Sequence, residues 1–362
     1  MSGAAQGHLK HKIMLGLLLL VPAAVGIRFL APEQITLLFF VSCLAIIPLA
    51  SFMGGATEVI SVRLGPGLGG MMNAAFGNAA EFILAVAALR AGQLDILKAS
   101  LTGSIIGNLL LVFGGSALLG GLRRDKQVFN ATAARADTTL LFLAVAGLVI
   151  PAAFHAVTPK EVGDAKIMTV SIGVSIILLG VYVLGLLFSL KTHSHLYGDD
   201  EHHLEEEAPT GKMNRALMVL VAATVGVAII SELIIHTVEH TTAALGFTHT
   251  FVGIIVLATV GNAAEHSTAI IVARKDKMAL ALTICVESSK QIALFVAPLL
   301  VLLSLLTAHP MSLEFTQFEV LAVALSVAII HMVAGDGQTN WLEGAMLLAV
   351  YGMLGVAFFF VP

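Results

Sequence analysis

Charge is what this sequence has least of. Asp, Glu, Lys and Arg make up 12% of its 362 residues, about half the share usual in a soluble protein, while 58% are hydrophobic and the mean hydropathy is +0.96. So few charges cannot cover a water-facing surface, and lipid is the expected surrounding. The two cysteines, Cys43 and Cys285, both fall inside apolar runs, which excludes a disulfide framework and leaves them as buried thiols. The formal net charge of -4 comes with no basic face, which excludes nucleic acid as a partner.

What is there instead is a succession of apolar stretches, each long enough to cross roughly 30 Å of hydrocarbon. Backbone groups in lipid must be satisfied internally, so the stretches are expected to be helices, and the 34 glycines suit close helix approach. Their polar breaks predict eleven spans: 13–30, 35–60, 67–90, 94–121, 133–154, 163–190, 213–237, 249–273, 278–307, 315–334 and 339–361. His8 to Lys12 followed by the run Ile13 to Val25 has the outline of a signal peptide. The run continues to Leu30 without a clear cleavage site, so a retained first span is expected. With the N-terminus in the cytoplasm, thirteen Lys and Arg fall on the cytoplasmic side, among them Arg123, Arg124, Lys126, Arg274, Lys275 and Lys277. Five fall outside and Lys290 lies within a span, a bias that places the C-terminus outside.

The chain also repeats itself. Gly77-Asn78-Ala79-Ala80-Glu81 recurs as Gly261-Asn262-Ala263-Ala264-Glu265, offset by 184 residues, and a serine follows each glutamate by 23 positions, at Ser104 and Ser288. The copies sit on the third and eighth spans, and an odd separation makes those helices antiparallel, the mark of an inverted-topology transporter. Between the halves, His193 to Lys212 mixes Asp199, Asp200, Glu201, Glu205, Glu206 and Glu207 with His193, His195, His202 and His203. It reads as a solvated cytoplasmic linker rather than a divalent-ion collector, and its histidines lack the spacing of a zinc site.

An ionised carboxylate at the bilayer midplane is costly, so Glu81 and Glu265 need a partner or a function. A purely structural pair of protonated carboxyls does not explain why both halves keep the glutamate, nor why Asn78 and Asn262 precede it by three on the same helix face. Two antiparallel copies bring two carboxylates and two amide carbonyls together, and an all-oxygen set suits a hard cation such as Ca²⁺. Two close carboxylates resist being ionised together, so when Ca²⁺ leaves, a proton should enter, and cation and proton compete for one pair of oxygens. Ser104 and Asn108 on the fourth span, and Ser288 and Gln291 on the ninth, share helix faces and are candidates for the coordination shell or ion path. The alternative for them is interhelical hydrogen bonding alone. Gly77, Gly261, Gly103 and Gly107 are expected to allow close approach or local helix breaks. Glu58 and Glu239, near span ends, are candidate ion-path carboxylates. His236, His240, His266 and His331 read as hydrogen-bonded helix residues, and the sequon Asn130-Ala131-Thr132 falls on the cytoplasmic side.

The paired Gly-Asn-Ala-Ala-Glu segments and the Ser104 and Ser288 regions resemble the two repeat signatures of the calcium/cation antiporter superfamily, specifically its cation/proton exchanger branch. The resemblance extends to Ala56-Thr57-Glu58, to Gln291 through Pro298, and to Asp336-Gly337 with Asn340-Trp341-Leu342-Glu343-Gly344. It implies an all-α membrane protein of eleven transmembrane helices, one leading helix plus two inverted five-helix repeats joined by an acidic cytoplasmic segment, often as a homo-oligomer. The expected layout is a leading helix in 1–34, a first repeat in 35–190, the linker in 191–212 and a second repeat in 213–362. It further implies that Glu81 and Glu265 carry Ca²⁺ and H⁺, with no cofactor, in a prokaryotic plasma membrane or a vacuolar membrane. Asn78 and Asn262 with Ala80 and Ala264, in place of the Ser or Thr with Pro of sodium/calcium relatives, favour protons over sodium. A sodium-coupled or broad-specificity cation exchanger on the same fold is the alternative. An enzyme is not expected, since for an intramembrane protease Asp336 lacks a second intramembrane aspartate. Glu287 and Lys290 depart from the family pattern, which has a small and an apolar residue there; three apart, they are expected to pair within the membrane, the alternative being that Lys290 sets a fixed positive charge near the site that alters cation affinity or coupling.

Overall fold

The computed structural model describes residues 12–194 and 212–361. Asp199, Asp200, Glu201 and Glu205 to Glu207 of the acidic segment, with His195, His202 and His203, lie outside the described residues. The helices, in chain order, are α1 (Lys12–Leu30), α2 (Ile35–Phe76), α3 (Ala79–Arg90), α4 (Leu94–Gly121), α5 (Ala131–Val157), α6 (Lys160–Thr192), α7 (Met213–Leu245), α8 (His249–Gly261), α9 (Ala263–Arg274), α10 (Met278–Ser304), α11 (Gln317–Ala334) and α12 (Trp341–Phe360). Among the described residues nine helices are long and apolar enough to cross a membrane, or ten if α8 and α9, bent by 62°, form one span.

The second and third expected spans differ from the sequence reading. Residues 35 to 76 run as one helix interrupted only at Gly65, whose φ of 79° lies in the left-handed region open to glycine. Pro66 follows and disfavours helical geometry in the residue before it, so the turn expected over 61–66 shrinks to one kinked residue. The remainder of the third expected span restarts as α3 after Gly77 and Asn78. The eighth expected span breaks in the same way, at Asn262. Both asparagines leave helical geometry, with φ and ψ of -104° and 34° at Asn78 and -88° and 4° at Asn262. Two further helices carry matched irregularities. α4 widens to a π-helical turn over Gly107–Val112 and α10 over Ile292–Val296, each one turn beyond its serine. Such widened turns recur at functional sites.

Loops sort into two ends. At one end, a two-stranded antiparallel ribbon pairs β1 (Gln127–Val128) with β2 (Gln338–Thr339), Arg124 bridges to Asp276 at 2.9 Å and to the Arg274 carbonyl, and Arg135 donates to the Gly335 carbonyl. This end gathers Arg123, Arg124, Lys126, Arg274, Lys275 and Lys277. Asn130, expected only as a sequon, caps α5 by accepting from Thr132 and Ala133. Asn340 and Glu343 of the last motif form a reciprocal cap on α12. At the opposite end, Arg90 faces Glu232, Lys98 donates to the Glu314 carbonyl, and His155 joins Asp164 at 2.8 Å and Glu314. Between the ends, helices meet through glycine. A Cβ on Gly103 would lie 2.4 Å from the Ile254 backbone, and one on Gly344 would lie 2.3 Å from the Leu118 nitrogen. Cys43 and Cys285 are buried free thiols.

Candidate cation site

The helix breaks at Asn78 and Asn262 create the site. Each break ends one half-helix in free carbonyls and starts the next in free N–H groups, and Glu81 and Glu265 stand in the first turns of α3 and α9. The positive end of a helix favours a carboxylate there. Glu81 is buried, with 9% of its surface exposed, and its Oε1 lies 3.5 Å from where a Cβ on Gly261 would stand. The missing side chain of Gly261 thus makes room for the carboxyl of the other half. The two glutamates are close enough for their charges to repel.

The asparagines and serines interlock across the halves. Asn262 donates to the Ser104 hydroxyl at 3.0 Å, and Ser288 donates to the Asn78 carbonyl at 2.7 Å. Asn108 donates to Ser288 at 2.9 Å, Asn78 donates to Gln291, and Ser288 also reaches the Glu265 carboxyl. All eight central residues expected from the sequence therefore meet: Glu81, Glu265, Asn78, Asn262, Ser104, Asn108, Ser288 and Gln291. Two buried oxygens in this cluster, Oε2 of Glu265 and Oδ1 of Asn262, have no hydrogen-bond partner among the described residues. A buried acceptor without a donor is costly, and a cation supplies what it lacks. Among the described residues no group of three or more His, Cys, Asp or Glu side chains is gathered for a metal. A cation here would rest on two carboxylates completed by amide and hydroxyl oxygens.

The other candidates stand apart. Glu58 and Glu239 are exposed on α2 and α7. His236 and His240 are exposed on α7, and His331 pairs with the Thr138 hydroxyl at 2.8 Å. His266, next to Glu265, keeps a buried Nε2 without a partner among the described residues. The expected pair of Lys290 with Glu287 is present, and it has a third member that the sequence reading passed over. Asp137 on α5 accepts from Lys290 Nζ at 2.7 Å. Its signal in the sequence is an aspartate inside an otherwise apolar stretch, two residues after Arg135.

Comparison with known proteins places this geometry. The profile of the sodium/calcium exchanger protein family matches residues 34–191 and 215–360. The Ca²⁺/H⁺ antiporter of Aphanothece halophytica is 45% identical over 366 residues, covering 98% of each chain. The vacuolar calcium ion transporter of Schizosaccharomyces pombe is 41% identical, covering 90% of this chain and 79% of its own. The crystal structure of the Ca²⁺/H⁺ antiporter protein YfkE is 40% identical and superposes with a TM-score of 0.80, covering 95% of this chain and 99% of its own. With its two broken helices, its paired glutamates and a family match spanning most of its length, the chain is a multi-span membrane protein that belongs to the sodium/calcium exchanger protein family.

Proposed function

We infer that this chain is a Ca²⁺/H⁺ antiporter, a carrier rather than an enzyme, in which Glu81 and Glu265 bind Ca²⁺ and H⁺ in competition. The observation that carries this is the junction of the two broken helices. Two mutually repelling carboxyls stand there with oxygens that no donor among the described residues satisfies. With Ca²⁺ bound, both carboxylates are neutralised, and the carbonyl ends of α8 and of the last turns of α2 face the cation. Without it, the pair returns to neutrality only by taking protons. A carrier that changes its facing state only when neutral exchanges one ion for the other. Asn78, Asn262, Ser104, Asn108, Ser288 and Gln291 position the carboxyls and lend oxygens, and Glu58 and Glu239 on α2 and α7 serve the ion path.

The architecture that fits this role is a leading helix in 1–34 and two inverted five-helix repeats, 35–190 and 213–362, joined by the cytoplasmic segment 191–212. The third and eighth of eleven spans are the broken ones. Support comes from the family match in two segments, and from two features repeated at the offset of 184, the helix breaks and the widened turns after Ser104 and Ser288. The basic end, with Arg123, Arg124, Lys126 and Arg274, is the cytoplasmic one. The carrier works in the plasma membrane of a prokaryotic cell or the vacuolar membrane of a eukaryotic one, as a homo-oligomer.

The test is ⁴⁵Ca²⁺ uptake into proteoliposomes driven by an imposed proton gradient, with sodium absent. Uptake is expected in the wild-type chain and not in Glu81→Gln or Glu265→Gln. Uptake that required a sodium gradient would favour a sodium-coupled exchanger instead, and intact exchange in both variants would remove the glutamates from the mechanism.

A further inference from the structure

The cluster of Asp137, Glu287 and Lys290 takes no part in the exchange just described, yet it brings three charges together inside the helix bundle, Asp137 and Lys290 buried and the Glu287 side chain 43% exposed. Lys290 Nζ donates to Asp137 Oδ1 at 2.7 Å and to Glu287 Oε1, and Asp137 and Lys290 are each 6% exposed. Tyr182 of α6 lies near both Glu287 and Lys290. A buried ion pair is a poor way merely to hold helices together, since apolar side chains of the same size usually serve as well. The other half of the molecule demonstrates this. At the same offset of 184 it carries Gly103 and Ile106 in place of Glu287 and Lys290, and Ile106 is fully buried.

Two carboxylates against one ammonium make an acidic pair already holding a cation. Glu287 and Lys290 sit on α10 beside Ser288 and Gln291, with Asp137 reaching Lys290 from α5, so the cluster neighbours the central site. It also has its own approach. A cleft lined by Phe129, Asn130, Ala133, Leu282, Thr283 and Asp137 leads between α5 and α10 from the ribbon end, and Thr283, Val286 and Lys290 follow one another down the same face of α10. Asp137, which accepts from the Lys290 ammonium, is part of its lining.

Resting on the exchange reading above, we propose that Asp137 and Glu287 form a second cation-holding pair beside the central site, and that the Lys290 ammonium is its tethered occupant. The ammonium fills a position that a soluble monovalent cation would otherwise take from the ribbon end. By keeping that position filled, Lys290 confines exchange to the central glutamates and makes it indifferent to Na⁺ and K⁺. Lys290 is thus a specificity-determining residue that acts without touching the transported ion.

Lys290→Met removes the ammonium and keeps the length of the side chain. In proteoliposomes carrying Na⁺, K⁺ or N-methyl-D-glucamine as the sole monovalent cation, proton-driven Ca²⁺ uptake by the wild type and by Lys290→Arg is expected to be the same in all three. Lys290→Met is expected to be at least about fivefold slower in N-methyl-D-glucamine, and in detergent its Tm should rise by several degrees on adding Na⁺ or K⁺. The triple variant Asp137→Asn/Glu287→Gln/Lys290→Met should lose this salt response in both measurements. Lys290→Met that ignores the choice of cation in uptake and in Tm overturns the proposal and leaves Lys290 as a tie between helices. Lys290→Met that folds in no salt overturns it too, because an entering cation should restore the fold. So does a triple variant that fails to fold or to transport, since the charges would then serve the fold or the central site. Absence of Ca²⁺ uptake in the wild type would strike the exchange reading instead, while the Tm measurement would still decide the fate of the second pair.

Discussion

α3 and α9 begin with the same Ala-Ala-Glu after the same Gly-Asn, but their surroundings differ. In α3 the residues Ala79, Ala80, Glu81, Leu84, Ala85, Ala87, Ala88 and Leu89 are buried, because the helix is enclosed by α7, α4 and α10. In α9 only Ala269, Val272 and Ala273 are buried, and Ser267 and Thr268 lie on the open side. α9 leads from Glu265 to Arg274 at the basic end, and the stretch of α2 that leads to the same end exposes Leu68, Met71 and Phe76. The half-helices leading to the other end, α3 and α8, are packed. Under the exchange reading this is a carrier with its basic side loosely covered and its opposite side closed, so identical motifs hold different positions at one moment of a cycle. The halves differ again behind the serines, where one has Gly103 and Ile106 and the other Glu287 and Lys290.

The sharpest way to break the comparison is to remove the glutamates one at a time. Glu81→Gln and Glu265→Gln are each expected to reduce proton-driven Ca²⁺ uptake more than about a hundredfold, with Tm within a few degrees of wild type. A large residual rate in only one would show that the halves are not equivalent at the site.

Next in size is the pair of glycines on either side of the junction. Gly103→Ala places a Cβ 2.4 Å from the Ile254 backbone, which cannot move without shifting α8, and overpacking of this kind costs about 1–3 kcal/mol. Gly261→Ala meets the Glu81 side chain first, at 3.5 Å and in ordinary van der Waals contact, so its Tm should hold while its Ca²⁺ affinity changes. Thermal unfolding and ⁴⁵Ca²⁺ binding on the two variants separate these effects.

The serines sharpen the comparison further. Ser288 serves Asn78, Asn108 and Glu265, whereas Ser104 is held by Asn262. Ser288→Ala leaves buried amide groups without partners and should cost about 1–3 kcal/mol in Ca²⁺ binding, and Ser104→Ala about 1 kcal/mol. Equal losses would mean that the asymmetry between the halves is conformational only. Smallest of all, Asn340→Ala removes the reciprocal cap of α12 and should lower Tm by a few degrees, the equivalent of about 1 kcal/mol, with exchange unchanged.

Much of this was legible in the residues. Apolar length and the glycine count announced a helical membrane protein, and the repeated Gly-Asn-Ala-Ala-Glu with its serines 23 positions on named six of the eight residues that meet at the centre, Asn108 and Gln291 following from the helix faces they share with the serines. A repeat is readable because it needs no three-dimensional knowledge, only identity at a fixed offset. Helix boundaries were less so. The turn at Gly65 occupies one residue, because a single left-handed glycine before a proline suffices to redirect a helix that is otherwise continuous in hydropathy. Asp137 was invisible as a partner, since it lies 153 positions from Lys290 and nothing local links them.

The sequence by itself determined what the chain is made to sit in and which polar side chains recur in both of its halves, because hydrophobic length and motif identity are properties of the covalent chain. Only the tertiary structure decided that Gly261 yields its space to Glu81, that Oε2 of Glu265 and Oδ1 of Asn262 find no donor among the described residues, and that the Lys290 ammonium rests on Asp137. Those facts depend on how antiparallel helices from distant parts of the chain close on one another, and packing distances of that kind are written in no local stretch of residues.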